Sequence, residues 1–186
     1  MVVTNERVIA EKVRFLSVFG MKTAWEREKS DRFMIPVFSD LGYNYKMSDI
    51  TAAVGVAQLK KIDHIIRRKR ELAKIWDEAL ERVDNIEAPF VPHENFHIYQ
   101  SYVTVAGKQL KRDKIIEKMR SYEIQTQIGT YACHIQPLYN TDKQCSVSLD
   151  IFRRALALPL FVQLEEEQIE MMASRLKYVL SECECR

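Results

Sequence analysis

YNYKMSDITAAVGVAQL, residues 43–59, sets an irregular polar turn directly ahead of an apolar helix. Ser48 is the expected N-cap, with Asp49 in the first turn. Behind it, Ile50, Ala53, Val54 and Ala57 recur three and four apart, the spacing of one buried helical face. Ala52, Ala53 and Gly55 keep that helix thin, and Gly55 costs about 1 kcal/mol of helix propensity relative to alanine. A close backbone neighbour is one way to offset this cost, so the spacing predicts a docked helix. The turn ahead of it, led by Gly42, carries Tyr43, Asn44, Tyr45 and Lys46. Phenol, amide and ammonium donors at the positive end of a helix form a place for an anion.

The whole chain of 186 residues is long enough for one large or two small domains with a sizeable core. Hydrophobic residues make up 47% and charged residues 29%, an ordinary globular composition. No apolar run reaches the roughly 18 residues of a membrane span, and the N-terminus lacks the apolar core of a secretion signal. A cytoplasmic protein without a membrane partner is expected. A net charge of +2 is too small to argue for nucleic acid. The thiols of Cys133, Cys145, Cys183 and Cys185 fit neither a zinc spacing nor a disulfide framework and read as reduced.

In chain order, Met1 to Thr4 form a short apolar run that reads as a strand. Asn5 caps a predicted helix from Glu6 to about Val18, with Val8, Ile9, Val13 and Leu16 as its apolar side and Gly20 as its stop. Residues 21–41 read as a loop, with Trp25, Phe33 and Phe38 as aromatic anchors. A second helix runs from His64 to Val83, capped by Asp63, with Ile65, Ile66, Lys69, Leu72, Ala73, Trp76, Leu80 and Val83 on one side. It would span about 30 Å, enough to connect two domains. Lys60, Lys61, Arg67, Arg68, Lys69, Arg70 and Lys74 crowd its first half, but no aromatic residue interleaves with them. A solvated face is the better account of that stripe.

Pro89 and Pro92 bracket a connector. Beyond it the pattern predicts a strand over 98–106, a helix over 112–121 with Ile115, Ile116 and Met119 inward, and a strand over 124–128. A helix over 148–157 ended by Pro159 follows. The last helix, 165–180, turns Ile169, Met172, Ala173, Leu176 and Leu180 inward. Strand, helix and strand in succession suggest a small α/β layer domain.

The 43–59 stretch resembles the GYNYRMSDIQAALGLAQL motif of the DegT/DnrJ/EryC1/StrS family of pyridoxal phosphate-dependent sugar aminotransferases, with Lys46 where the family usually has arginine. MVVTNERVIAEKVRFLSVFG, residues 1–20, resembles the family segment shortly after the lysine that carries the cofactor. The late LPL at Leu158 to Leu160 matches as well. The resemblance implies the C-terminal part of an α/β, aspartate-aminotransferase-like (type I) fold lacking most of its large domain. Residues 1–45 would be a remnant of the cofactor-binding domain, 46–83 connecting helices, and 84–186 the small C-terminal α/β domain.

The same resemblance implies site roles. The turn matching Asn44, with Tyr43 and Lys46, would bind the pyridoxal phosphate held by the other subunit of a dimer. IGTYACHIQPLY, residues 128–139, resembles the segment lining the sugar side, which places His134 and Tyr131 at the substrate. As residues alone, Asn44 fits a rigid turn equally well and His134 a structural histidine. Gly129 and Pro137 put His134 on a loop or short turn. His93 and His97 lack a further ligand for a metal, so no metal is expected.

Transamination needs a lysine that holds the cofactor and moves a proton, and an acid facing the pyridine nitrogen. The family places both upstream of Met1, and none of Lys12, Lys22 and Lys46 lies in the matching motif. No catalytic residue is therefore expected in this chain, which would be inactive without the lysine-bearing N-terminal half; a homodimer or a complex with an N-terminal half chain is the expected assembly. Its implied substrate is a nucleotide-linked keto-sugar, with an amino acid as donor. A non-catalytic dimerising or regulatory remnant, and a fragment of a related sugar dehydratase, remain as alternatives.

Overall fold

The computed structural model describes residues 2–21, 33–139 and 144–184, so Trp25, Lys22 and Cys185 lie outside the described residues. The chain divides into two compact units, Met1–Lys60 and Lys61–Arg186. In the first, helix α1 spans Arg7–Ser17 and helix α2 spans Asp49–Leu59. The Ser48 oxygen accepts from the Thr51 amide at 3.3 Å, which is the expected cap, and Asp49 occupies the first turn. At α1 the cap position is Glu6 rather than Asn5, and the Glu6 amide donates to Thr4 Oγ1 at 3.1 Å. Residues 2–4 form no strand, and among the described residues no neighbouring strand offers them a ladder.

The apolar faces expected in this unit are formed but uncovered. Ile50 is 81% and Val54 59% exposed, Ala53 and Ala57 are exposed too, and a Cβ added at Gly55 would meet nothing within 4 Å. Val8, Ile9 and Val13 of α1 are likewise exposed. Small residues permit a close approach, but they do not supply the partner.

The second unit opens with α3, Ile62–Leu80, which buries Leu72, Ala73, Trp76, Ala79 and Leu80. Strand β1 (Ile86–Glu87), strand β2 (Tyr102–Ala106), helix α4 (Arg112–Ser121) and strand β3 (Gln127–Ile128) follow. Helix α5 (Ser146–Arg154), strand β4 (Ala155–Leu158) and helix α6 (Glu166–Glu184) complete it. The four strands form one sheet in the order β1-β2-β4-β3, with every neighbouring pair antiparallel. Helix α6 packs on both α3 and α4, and Trp76, Tyr102, Ile115, Met119, Leu156, Ile169 and Leu176 meet in the core between helices and sheet. Each large apolar side chain so buried contributes about 1.5–3 kcal/mol.

The expected helix over 148–157 is divided. It begins earlier, at Ser146, stops at Arg154, and hands residues 155–158 to the middle of the sheet, where Thr104 and Ile128 both face Leu156. Alanine and leucine favour helix in isolation. Here two ladders of backbone bonds and the full burial of Ala155 and Leu156 override that preference. The strand expected from Ile98 is shortened to Tyr102–Ala106, because Tyr99 adopts φ +47° and breaks the extended run. Only Gln127 and Ile128 of the expected 124–128 strand pair, although Ile124 and Thr126 are buried in alternation. Helix α3 starts at Lys61 as cap, with Asp63 inside its first turn, and α6 runs four residues beyond the expected end. The α4 bounds match the expectation. No helix among the described residues is long and apolar enough to cross a membrane.

Polar groups lock the core in register. Trp76 Nε1 donates to the Pro159 carbonyl at 3.0 Å, and the Tyr102 hydroxyl donates to Asp77 Oδ1 at 2.5 Å. Arg112, 5% exposed, donates to the carbonyls of Phe152 (2.7 Å) and Ala155 (3.3 Å), satisfying a backbone oxygen left over at the end of α5. Cys133, Cys145 and Cys183 are free thiols.

Burial pushes the Asp77 carboxyl above its ordinary value, while the Tyr102 hydrogen bond pulls it back. A carboxyl raised on folding contributes stability that is present in acid and lost as pH rises through its folded value. Removing the hydroxyl in Tyr102→Phe strands the carboxylate, so urea denaturation at neutral pH should show a loss of about 1–3 kcal/mol that shrinks as the pH falls and Asp77 takes up its proton. Thr126 Oγ1 is buried with no hydrogen-bond partner. Thr126→Val should therefore leave the urea midpoint unchanged or raise stability by about 1 kcal/mol.

Candidate functional site

The Tyr43–Lys46 turn is built on the end of α1. The last carbonyls of a helix have no partner within it. Here Leu16 O accepts from the Tyr43 amide at 2.7 Å and Ser17 O from the Tyr45 amide at 2.9 Å, while the Phe19 amide donates back to Tyr43 O at 2.9 Å. Val18 and Asn44 thus form an antiparallel bridge. Two glycines make the contact possible. A Cβ on Gly42 would stand 2.0 Å from the Gly20 nitrogen, and one on Gly20, whose φ is +69°, 2.1 Å from the Asp40 carbonyl oxygen.

An extended run turns alternate side chains to opposite sides. The Tyr43 and Tyr45 rings accordingly stack on each other, with centroids 4.9 Å apart and planes 4° from parallel. Asn44, between them, leaves its side chain exposed. The Lys46 ammonium lies 5.3 Å from the centre of the Phe19 ring and is also exposed. Beside them Asp40 accepts from Lys12 at 3.0 Å, and that bond, with the Leu41 amide, holds its carboxyl below the ordinary range. The structure therefore brings Tyr43, Asn44 and Lys46 onto one backbone-fixed turn as outward donors. Such a set suits a phosphate, which accepts from amide and ammonium together.

The second predicted group lies in the other unit. Gly129 follows β3 and donates from its amide to Ala155 O at 3.0 Å; a Cβ there would stand 2.5 Å from Val103 Cγ1. Only glycine lets the chain leave the sheet at that point. Ala132 is fully buried and anchors the following 3-10 turn, Cys133–Ile135, which carries His134 half-buried. Tyr131 is 66% exposed and its ring lies 6.2 Å from Phe152. Phe152 in turn lies under the Arg112 guanidinium, 5.4 Å from the ring centre. Arg112 and Phe152 are supports that the sequence reading missed, since they come from two helices forty residues apart in the chain.

Next to this loop, a cleft of about 770 Å³ runs along β3 and is lined by Gln100, Gln125, Gln127 and Gln168 with Leu160 and Met171 among its apolar walls. It includes Gly129 but neither Tyr131 nor His134. Its glutamines are gathered from three separate segments, so no local motif announces them. His97 has a local role: its Nδ1 accepts from the Tyr99 amide at 3.2 Å, and its carbonyl accepts from Arg70 at 2.7 Å.

Comparison with known proteins gives these groups a context. Residues 1–177 match the DegT/DnrJ/EryC1/StrS aminotransferase family. The chain is 28% identical to the spore coat polysaccharide biosynthesis protein SpsC of Bacillus subtilis, over 91% of this chain and 46% of that protein. It is 29% identical to the GDP-perosamine synthase of Escherichia coli O157:H7, over 91% of this chain and 44% of that one. Among solved structures, Helicobacter pylori PseC, an aminotransferase involved in the biosynthesis of pseudoaminic acid, superposes with a TM-score of 0.82 at 20% identity, covering 97% of this chain and 48% of PseC. That likeness shows the aminotransferase-like α/β fold. The chain spans about half the length of the curated relatives it matches.

The turn's dependence on its glycines can be measured. Gly42→Ala has no room against the Gly20 backbone and should cost about 1–3 kcal/mol locally. Limited trypsin digestion should then cut at Lys46 several-fold faster than in the parent, while Gly55→Ala, which meets open space and favours the helix, leaves the rate unchanged or lowers it.

Proposed function

The chain belongs to the DegT/DnrJ/EryC1/StrS aminotransferase family, and from that premise we propose that it is the C-terminal portion of a pyridoxal phosphate-dependent enzyme transferring an amino group from an amino acid to a nucleotide-linked keto-sugar. The observation that carries this reading is the family match through the Tyr43–Lys46 turn, whose exposed donors have the chemistry of a phosphate cradle. Relatives named for spore coat polysaccharide biosynthesis and for GDP-perosamine synthesis support the substrate class. The cytoplasmic location expected from the sequence belongs to the same proposal.

When bound, pyridoxal phosphate supplies the electron-withdrawing ring through which the amino group passes. In this reading the Asn44 amide donates to the phosphate oxygens of a cofactor held by a partner chain. Lys46 adds a compact positive charge, without the planar fork an arginine would bring. The Tyr43 ring, stacked on Tyr45, braces the extended run that presents Asn44 between them. His134 and Tyr131 donate to sugar hydroxyls, with Tyr131 kept in place by Phe152. The lysine that moves the proton is assigned to no residue described here, so it comes from the N-terminal half, in the same polypeptide or in a partner chain.

The protein purified from its own cells tests this directly. Intact mass of the purified protein should reveal the N-terminal half, within a longer chain or as a second polypeptide, and the assembly should retain pyridoxal phosphate through gel filtration. In that complex Asn44→Ala should release the cofactor about tenfold faster, the loss of one hydrogen bond to a charged group. Equal release rates for the two proteins would remove Asn44 from the cofactor site. A single short chain that retains no cofactor would overturn the proposed function.

A further inference from the structure

The basic stripe of α3 meets an aromatic residue that the sequence places far from it. Arg67, Arg70 and Lys74 follow one another at three- and four-residue spacing, on one side of the helix, while Leu72, Ala73 and Trp76 face the core. Phe96, from the irregular segment between β1 and β2, is brought against that side. The Arg70 guanidinium lies 4.4 Å from the Phe96 ring centre and donates to the His97 carbonyl at 2.7 Å. One cation thus fixes both ring and loop. Phe96 nevertheless stays 71% exposed, so most of its surface is open to a further partner.

Together with Asp63, Ile66 and Glu71, these residues line a groove of about 520 Å³. Small-molecule sites run from about 300 to 1,000 Å³. Among the described residues, neither Arg67 nor Lys74 has an ion pair or hydrogen bond, whereas Glu71 is tied to Arg68 at 3.6 Å. Two uncommitted cations therefore flank an exposed aromatic surface that a third cation holds still.

We propose that this groove is a binding site for a nucleoside monophosphate: the base stacks on Phe96, and the phosphate sits between Arg67 and Lys74. The lining holds three cations and two carboxylates, one net positive charge, which suits a single phosphate group better than a polyanionic strand. Asp63 and Glu71 accept from the ribose hydroxyls and repel a neighbouring phosphate of a longer chain. The groove shares no residue with the Tyr43–Lys46 turn or the His134 loop, so binding there can be measured without pyridoxal phosphate.

Calorimetric titration of the intact protein with adenosine 5′-monophosphate, inorganic phosphate and a short oligoadenylate tests this without any turnover assay. The nucleotide should bind more tightly than inorganic phosphate. Phe96→Ala should weaken the nucleotide by about tenfold, the contribution of one stacked base, and leave inorganic phosphate unaffected. Arg67→Gln with Lys74→Gln should weaken both. These side chains are exposed, so unchanged thermal unfolding will confirm folded variants. Nucleotide and phosphate binding alike, variants without effect, or no heat from the nucleotide would overturn the site. Oligoadenylate binding far more tightly per nucleotide would overturn it in favour of a nucleic-acid track. Failure here leaves the transfer function untouched, since that reading stands on cofactor retention.

Discussion

The second unit depends on residues 155–158 lying inside the sheet rather than at the end of a helix. Strand β4 bonds to β2 on one side and β3 on the other, so every other strand is placed relative to it. The side chains that make this possible are small. Ala155 leaves room for the chain at Gly129, where even a methyl group would approach Ala155 Cβ to 2.9 Å. Trp76 closes the far end through the Pro159 carbonyl, and Arg112 closes the near end through Phe152 and Ala155. Both hold α3 and α4 to the same strand, and the loop bearing Tyr131 and His134 starts from its edge.

The first unit is held by a different kind of interaction. Gly20 is its one buried residue among those described, and most of its large apolar side chains face outward. An eleven-residue helix such as α2 is marginal without packing. What fixes the candidate phosphate turn is the backbone: amides of residues 43 and 45 satisfy the carbonyls that end α1, and two glycines let the strands touch. Site geometry here rests on capping and on the absence of two Cβ atoms rather than on a core.

The cationic half of α3 shows how long side chains change meaning in a fold. Arg68 donates to Leu164 O at 2.9 Å, Lys69 to the carbonyls of Tyr99 and Gln100, and Arg70 to His97 O. A plain solvated face does not describe them. Their apolar stems lie along the protein while the charged tips satisfy backbone oxygens of an irregular segment that has no ladder of its own. Arg67 and Lys74 keep the exposure that the sequence reading gave to the whole stripe.

The sequence by itself determined the local features. The Ser48 cap, the bounds of α4, the inward set Ile169, Met172, Ala173, Leu176 and Leu180, and the turn position of His134 all follow from periodicity, capping and turn chemistry within a few residues. The 43–59 stretch also revealed the family, because an irregular turn in fixed register with a helix is rarely repeated by chance. Tertiary structure alone decided the rest. Residues 155–157 read as helix by propensity and became strand because two neighbours offered backbone bonds. Gly55 signalled a close neighbour, and among the described residues none lies within 4 Å of the place its Cβ would take. Phe96 reached Arg70, and Arg112 reached Phe152, across 26 and 40 residues of chain. Propensity acts through neighbours in sequence, while burial and hydrogen bonding act through neighbours in space, and at these positions the spatial neighbours prevailed.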